Sequence, residues 1–422
     1  MGLIYDINDK PKTIKEWILY ALQQVLAIFV ATVLIADICG TPISACLIGA
    51  CIGTLLYQVI TGFKSPMFIS SCGATCSAVI GALAIGDGKN YLAVVIGGAV
   101  ILLIYAAFAL FVKIKGVQAL NKILPPIIVG PITMVIGINL AGFIPTYCQV
   151  SGAHSDIGII VAIVTMVIVA VSSHYFKGFW KTIPFLVGLG GGYLISVILT
   201  LTGVAPLIDF SAFAHMTVFQ VPDFTFKYWQ FNLGWSEILQ VIVLFAPVAV
   251  VALSEHFSDH RVLSNIIGTD LTEKPGLHKT LLGDGAASFL GTILCGLPNT
   301  SYGESIATTG FSRVASTHVI TVAALMLGSL AFINPVQVFI ASIPACVFGG
   351  CAMILYGYIA ASGLKTLYAS RADLDNNKNL IIVSVILTVG VSGLFLFHES
   401  FTGVSLAMIL GIILNLVLKE KK

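Results

Sequence analysis

The most informative part of this sequence is the stretch Leu297-Pro298-Asn299-Thr300-Ser301-Tyr302-Gly303-Glu304-Ser305-Ile306, which interrupts an apolar segment. A second stretch, Ser65-Pro66-Met67-Phe68-Ile69-Ser70-Ser71-Cys72-Gly73-Ala74, has the same character. Pro, Asn, Thr and Gly favour extended or turn geometry over a continuous helix. In a membrane, such backbone is tolerated where protein or a water-filled cavity satisfies its hydrogen bonds. Both stretches are therefore predicted to be broken membrane spans; the alternative is two proline-kinked packing helices.

Composition places these stretches in a membrane. The chain has 422 residues, of which 58% are hydrophobic and 9% are Asp, Glu, Lys or Arg. Soluble globular proteins carry about 25% charged residues, and a bilayer core of about 30 Å requires apolar runs of about 20 residues. The formal net charge of +2, without a basic block, gives no support for nucleic-acid binding. The sequence therefore predicts an all-α polytopic membrane protein whose partner is the lipid bilayer and not a nucleic acid.

Apolar runs separated by Gly, Pro and charged residues predict fourteen transmembrane segments. The first seven are placed at 17–36, 40–60, 66–86, 91–112, 126–144, 157–175 and 182–202. The second seven are placed at 237–256, 281–297, 299–312, 317–334, 336–358, 380–397 and 402–418. The connection between the two sets is rich in Phe, Tyr and Trp, which is typical of a segment at the membrane interface.

The basic residues support this count. With a cytoplasmic N-terminus and fourteen crossings, 19 of the 21 Lys and Arg residues fall on the cytoplasmic side, and Lys89 and Lys227 fall outside. This bias follows the positive-inside rule, so both termini are predicted to be cytoplasmic. The polar start of the chain does not resemble a cleaved signal peptide, and we expect the first apolar segment to be a true span.

The odd number of spans in each half has a consequence for symmetry. Two halves of seven spans enter the membrane in opposite orientations, which is the inverted repeat found in many secondary transporters. We predict a first inverted repeat over 1–202, an extracellular interfacial loop over 203–236 and a second inverted repeat over 237–422. The two interrupted stretches are then corresponding elements, spans 3 and 10.

Glu304 is the first candidate for a functional residue. Acidic side chains inside spans are costly and rare, so each is a functional candidate. Glu304 follows the interruption and would lie at the N-terminus of a half-helix. Free backbone N–H groups there can donate to a ligand carbonyl, while the carboxylate accepts from a ligand N–H. The alternative is a carboxylate that caps its own helix.

A second group of titratable residues begins at Glu255, in the stretch Glu255-His256-Phe257-Ser258-Asp259-His260. On a helix Glu255 and Asp259 share one face, and His256 and His260 share the next. This density of titratable groups suggests proton handling by Glu255, Asp259 or His260. Two His residues four apart also match a metal-ligand spacing, but there is no HExxH pattern or second cluster, so no metal is predicted. For Asp259 and His260 the alternative is a solvated helix end.

These residues suit a small ligand that carries N–H donors beside C=O acceptors, such as a nucleobase. Two carboxylates would accept from it, and half-helix N–H groups would donate to it. Burial disfavours the charged form of a carboxylate, so proton uptake at Glu255 or Glu304 would couple to binding. An anion carrier is expected to avoid two acids around its substrate. The sequence contains no Walker, GxSxG or haem motif, which argues against an ATP-driven pump or a hydrolase, and we do not expect an enzyme.

At these residues the sequence resembles the nucleobase/ascorbate (nucleobase:cation symporter 2) family, over essentially its whole length. The most specific parts are Pro298-Asn299-Thr300-Ser301-Tyr302-Gly303-Glu304, Ser254-Glu255-His256, and Leu355-Tyr356-Gly357 followed by Ala361-Ser362-Gly363. The resemblance implies a core domain of spans 1–4 and 8–11 and a gate domain of spans 5–7 and 12–14. It also implies short antiparallel β-strands in spans 3 and 10, a cytoplasmic inner-membrane location and a homodimer through the gate domain.

The resemblance also implies site residues. Glu255 and Glu304 would be the substrate-binding carboxylates, with Glu304 also in the proton cycle. The backbone amides of Cys72, Gly303 and Glu304 would donate to the uracil carbonyls. The aromatic side chains of Tyr302 and Tyr356 would line the site. Xanthine and urate members typically carry Gln-Asn where this chain has Glu304-Ser305, which favours uracil.

Three positions depart from the pattern of the relatives. Cys72 stands where a relative has Phe, so aromatic packing on the base is lost while the backbone donor is expected to remain. Gln23-Gln24 stands where Gln-His is frequent. Asp259 lies one helical turn after Glu255 where some relatives have His, which leaves open whether Asp259 or His260 takes that role.

We therefore expect a proton-coupled symporter that imports uracil by an elevator-like motion of the core domain against the gate domain, with protons as the coupling ion and no other cofactor. One alternative is a xanthine or other purine permease of the same family. Another is an anion exchanger or channel of the same fold, which would not need Glu304. A purely structural membrane protein is disfavoured because buried acids at a broken span have no packing purpose.

Overall fold

The structure is a computed structural model that describes residues 3–85, 90–117, 125–150, 152–177, 180, 183–394 and 403–418. Several basic residues used above to predict the orientation of the chain lie outside the described residues, namely Lys89, Lys122, Lys181, Lys419, Lys421 and Lys422. Residues 395–397 and 402 of the last two predicted spans also lie outside them.

The described chain is mainly helical. Its α-helices are α1 (Ile14–Ile38), α2 (Ile43–Thr61), α3 (Cys76–Leu83), α4 (Tyr91–Lys115), α5 (Pro126–Ala141), α6 (Ile144–Tyr147), α7 (Asp156–Tyr175), α8 (Pro184–Leu201), α9 (Trp235–Ile267), α10 (Leu277–Cys295), α11 (Gly303–Ser312), α12 (Thr317–Ser329), α13 (Asn334–Ala341), α14 (Ala345–Ala369), α15 (Asn377–Val391) and α16 (Gly403–Val417). Shorter helical turns lie at Gly73–Thr75, Ser211–His215, Thr225–Tyr228, Thr272–Gly276 and Leu330–Phe332.

Eight helical segments in the described part of the chain are long and apolar enough to cross a membrane. They are Ile14–Ile38, Ile43–Thr61, Tyr91–Lys115, Pro126–Tyr147, Asp156–Tyr175, Pro184–Leu201, Trp235–Ile267 and Ala345–Ala369. Shorter apolar helices lie at Gly73–Leu83, Thr317–Phe332, Asn377–Val391 and Gly403–Val417. The prediction of a largely helical, membrane-type protein is confirmed at this level.

Two predicted spans do not coincide with single helices of the structure. The span predicted at 237–256 belongs to α9, which continues to Ile267; on this continuation His256 and His260 have no exposed surface, whereas Ser258 and Arg261 are exposed. The span predicted at 336–358 is divided between α13 and α14. Pro344 is the N-cap of α14, and a proline lacks the N–H that a continuous helix would need there.

The two interrupted stretches meet as a small antiparallel sheet. Strand β1 (Ile69–Ser71) pairs with strand β2 (Asn299–Ser301), so that Ile69 lies opposite Ser301 and Ser71 opposite Asn299. Every residue of both strands is buried. Because buried backbone groups must find partners, this pairing explains how extended chain is accommodated inside an apolar protein.

Hydrogen bonds to and from the neighbouring helices hold the outer edges of this sheet. Thr54 of α2 donates its hydroxyl to the Ile69 carbonyl at 2.8 Å and accepts the Ile69 N–H at 3.0 Å. The Asn299 side-chain amide donates to the carbonyls of Gly49 at 3.0 Å and Ala287 at 3.2 Å. Ser288 of α10 donates to the Asn299 carbonyl. The sheet is therefore held from both sides by α2 and α10.

The helices pack in two groups. In the strand lobe, α10 packs against α2 and α4, α9 against α4, and α12 against α1 and α2, with the sheet between them. In the second lobe, α14 packs against α5 and α7, α7 against α8, and α15 against α5 and α16. The lobes meet where α1 contacts α8 and α14, and where α9 contacts α5 and α16.

Glycines allow the two central helices of the second lobe to touch backbone to backbone. A Cβ at Gly137 of α5 would lie 2.5 Å from Ala360 N and 2.7 Å from Tyr356 O of α14. A Cβ at Gly130 would lie 2.9 Å from Gly363 O. Small residues give such close approach between helices in membranes, where apolar burial alone provides little driving force for association.

We predict that Gly137→Ala destabilises the protein by about 1–3 kcal/mol, because backbone atoms cannot move aside as a side chain can. Gly190→Ala is the matched control, since a Cβ at Gly190 has no atom within 4 Å and alanine in a helix gains about 0.5–1 kcal/mol over glycine. The melting temperature in detergent checks this prediction. Equal melting temperatures for the two variants would contradict the backbone contact.

Candidate functional site

A cavity of about 540 Å³ lies between the two lobes, beside the end of strand β2. The strand lobe contributes residues of α1, α9, β2 and the start of α11, and the second lobe contributes residues of α5 and α14. The polar and aromatic lining residues include Glu255, Asp259, Thr300, Ser301, Tyr302, Gly303, Glu304, Tyr358, Ser362 and Lys365. The cavity is therefore a polar site bounded by both lobes.

The start of α11 presents backbone donors and a carboxylate to the cavity. Tyr302 is the extended N-cap residue, and its side chain makes no capping hydrogen bond. The first N–H groups of a helix have no partner inside it. Gly303 is exposed, with open space where a Cβ would be, so a ligand can approach the backbone closely. Glu304 stands in the same turn and lines the cavity, which places N–H donors beside a carboxylate acceptor.

Helix α9 supplies two more carboxylates to the same cavity. Glu255 and Asp259 lie one turn apart and both line it. Asp259 Oδ2 accepts the hydroxyl of Ser301 at 2.7 Å, which ties α9 to strand β2. Two cationic side chains, Arg261 and Lys365, also line the cavity and are exposed. Three carboxylates therefore face two cations around the site.

The next face of α9 carries His256 and His260 away from this cavity. His260 Nδ1 lies 2.8 Å from the carbonyl of His256, and its Nε2 lies 2.6 Å from the Tyr57 hydroxyl. A carbonyl can only accept, so Nδ1 donates and the Nε2 of the neutral ring accepts from Tyr57. Both nitrogens of His260 are thus occupied by groups outside the cavity lining. The structure brings Glu255, Asp259 and Glu304 together but does not bring His260 to them.

The sequence analysis missed Asp284 of α10, which is fully buried. Its Oδ2 lies 2.6 Å from Nδ1 of His256, which is also fully buried, and accepts the Thr300 hydroxyl at 3.3 Å. The signal was present in the sequence: Asp284 stands between two glycines inside the predicted span 281–297, where an acid is rare.

Comparison with known proteins gives the family. A model described as "Permease family" matches residues 15–399. A uracil permease of Bacillus caldolyticus is 37% identical, with 98% of this chain and 94% of the relative covered. Uracil permeases of Bacillus subtilis (strain 168) and Escherichia coli (strain K12) are 35% and 32% identical, covering 99% and 98% of this chain and 95% and 93% of the relatives. The chain belongs to the nucleobase/ascorbate transporter family. As a member of this family it is a multi-pass membrane transporter and not an enzyme.

Solved structures share the fold of this family member. The transmembrane domain of a cyanobacterial bicarbonate transporter, BicA, aligns with a TM-score of 0.62 at 16% identity, covering 96% of this chain and 98% of that one. The anion transporter SLC26A9 aligns with a TM-score of 0.67 at 13% identity, covering 96% of this chain and 66% of that one. At identities of 16% and 13%, these similarities show a shared fold and nothing further.

Two residues expected from the family pattern do not take the expected places. The N–H of Cys72 donates to the Pro298 carbonyl at 2.8 Å, as an extension of the strand pairing, so it is not a free donor; the adjacent Gly73 lines the cavity instead. Tyr356 is buried outside the lining, whereas Tyr358 lies in it. Lining positions of α14 recur three or four residues apart, and Tyr356 falls on another face of this helix.

Proposed function

We propose that this protein is a proton-coupled symporter that imports uracil across the cytoplasmic membrane. The observation that carries the proposal is the meeting of Glu255, Glu304 and the open N-terminus of α11 in one cavity. Uracil alternates N–H donors with C=O acceptors around its ring. Carboxylates can accept from the former, and the N–H groups at Gly303 and Glu304 can donate to the latter. The names of the relatives, uracil permeases, support the same substrate.

The charge of the cavity separates this proposal from anion transport. An anionic substrate would meet repulsion from the carboxylates of Glu255, Asp259 and Glu304, which outnumber the two cations Arg261 and Lys365 in the lining, whereas a neutral base would not. Among nucleobases, the resemblance of the sequence supports uracil over xanthine, because xanthine and urate members of the family typically carry Gln-Asn where this chain has Glu304-Ser305.

We also infer how the chain moves. Our proposal has fourteen crossings in two inverted repeats, both termini in the cytoplasm and the core domain sliding against the gate domain like an elevator. In support, the strands, α9 and α11 lie in one lobe, and the cavity lies between this lobe and the other. A homodimer would form through the gate domain, for which α7 and α8 offer exposed apolar side chains such as Ile160 and Leu194.

Uptake by proteoliposomes tests the substrate. Labelled uracil should enter liposomes that contain the protein, and an excess of unlabelled uracil should reduce the entry to that of empty liposomes. Xanthine, uric acid and adenine should leave the entry near its original rate. Equal competition by xanthine would indicate a purine permease instead, and bicarbonate or chloride flux without uracil entry would indicate an anion exchanger.

A further inference from the structure

Behind the cavity lies a buried pair of titratable side chains, His256 and Asp284, that the proposed binding site does not use. Neither side chain has exposed surface, and His256 Nδ1 lies 2.6 Å from Asp284 Oδ2. Tyr57 of α2 and Tyr105 of α4 pack their rings edge-on to His256, each with centroids 6.4 Å away. The His260 ring lies beside the His256 ring, with the two centroids 4.0 Å apart. A polar pair enclosed in this way is costly to break, because each partner would be left without a counterpart.

The pair connects the two elements that carry the substrate-binding acids. His256 directly follows Glu255 on α9. Asp284 of α10 accepts the hydroxyl of Thr300, the residue before Ser301, at 3.3 Å. Strand β2 then leads within three residues from Ser301 to Glu304. The His256–Asp284 contact is therefore one of the connections that set the position of Glu255 relative to Glu304, beside the direct packing of α9 against β2 and α11.

We propose that His256 and Asp284 are positioning residues, which hold Glu255 and Glu304 at the separation that lets both accept from one ligand. This inference rests on the proposed function. A hydrogen-bonding site requires its groups within about 0.5 Å of the productive geometry. Two acceptors on different helices stay within this distance of the productive geometry when a rigid contact joins the elements that carry them. Asp259 and Ser301 provide a second tie between α9 and β2 on the cavity side, but the buried pair is the contact shielded from water.

A purely structural role and a positioning role predict different effects of a substitution on ligand binding. Loss of structure lowers the number of folded sites without changing how each site ranks ligands. Loss of positioning changes the order of ligand affinities, because a ligand with two N–H donors then gains less binding free energy from its hydrogen bond to the second acid. The suitable probe is 3-oxauracil, in which a ring oxygen replaces one N–H of uracil with little change in shape.

The experiment compares the Kd of uracil with that of 3-oxauracil on purified protein. The wild type should prefer uracil by about tenfold or more, the worth of one hydrogen bond to a charged group. Asp284→Asn keeps an acceptor for Thr300 but removes the charge, and His256→Asn removes the ring; both should reduce the preference towards unity. Thr292→Val is the control, a nearly isosteric change at a buried residue of α10 whose hydroxyl bonds to Phe289 O within the same helix.

The possible outcomes are distinct. A wild type that does not bind uracil would overturn the proposed function. A wild type that binds uracil with the expected preference, together with folded Asp284→Asn and His256→Asn variants that keep that preference, would overturn the positioning role alone. Failure of both variants to yield folded protein would assign the pair a structural role and would also overturn the inference.

Discussion

Replacing Glu304 by glutamine is expected to abolish uracil binding. The carboxylate offers two acceptor oxygens, whereas the glutamine side chain carries an NH₂ donor in place of one of them. Loss of a hydrogen bond to a charged group costs about 1.5–3 kcal/mol, and a donor facing the uracil N–H adds repulsion. Because 1.4 kcal/mol is a factor of ten, Kd should rise by about a hundredfold or more. Isothermal titration of the purified variant with uracil measures this change.

Two further variants separate the charge of Glu304 from its surroundings. Ser305→Ala is the matched control, because Ser305 is the next residue of α11 but is fully buried and outside the cavity lining. It should bind uracil like the wild type. Glu304→Asp keeps the carboxylate on a shorter side chain and should bind with intermediate affinity. If Glu304→Gln binds uracil normally while its melting temperature is unchanged, the substrate site lies elsewhere in the molecule.

The features that the sequence predicts well are local ones. Pro298 and Asn299 disfavour a continuous helix, and the interruption they predict coincides with strand β2 followed by α11. The shared face of Glu255 and Asp259 follows from helical periodicity, and both line the cavity. Local geometry also separates His256 and His260 from these acids. In each case the information lies within one turn or one short segment of chain.

The features that the sequence analysis missed depend on partners far away in the chain. The burial of His256 and His260 depends on Tyr57 of α2 and Asp284 of α10, and no pattern within α9 contains those contacts. The amide of Cys72 is occupied because Pro298 lies opposite it across the sheet. Tyr356 is buried outside the cavity lining, and which face of α14 meets the cavity depends on how this helix packs against α5 and α7.

Asp259→Asn is expected to uncouple uracil transport from the proton gradient while preserving uracil binding. Asp259, Glu255 and Glu304 surround one cavity, and like charges in a poorly solvated site repel each other. A proton bound among them relieves this repulsion, and its release on the other side completes the cycle. Asparagine still offers an oxygen to the Ser301 hydroxyl, which lies 2.7 Å from Asp259 Oδ2 in the wild type. The substitution therefore removes the charge but retains the tie to strand β2.

Two transport measurements distinguish coupling from translocation. Exchange of labelled for unlabelled uracil at equal pH needs no gradient and should continue in Asp259→Asn near the wild-type rate. Accumulation driven by an acidic exterior should fall to the equilibrium level in this variant, and a protonophore should cause the same fall in the wild type. Asp270→Asn is the control, since Asp270 lies in the exposed turn after the same helix. A hydrogen bond from the Thr272 hydroxyl holds the pKa of Asp270 below its ordinary value, so it stays ionised and should not carry the coupled proton.

The two ways in which this prediction can fail have different meanings. If the protonophore leaves wild-type accumulation unchanged, proton coupling is wrong and the three carboxylates serve recognition alone. If the protonophore acts on the wild type but Asp259→Asn still accumulates uracil, the coupled proton is carried by Glu255 or Glu304. Glu304 would then be the stronger candidate, because its carboxylate stands beside the N–H groups that are proposed to hold the substrate. Protonation and substrate binding would in that case both take place at the first turn of α11.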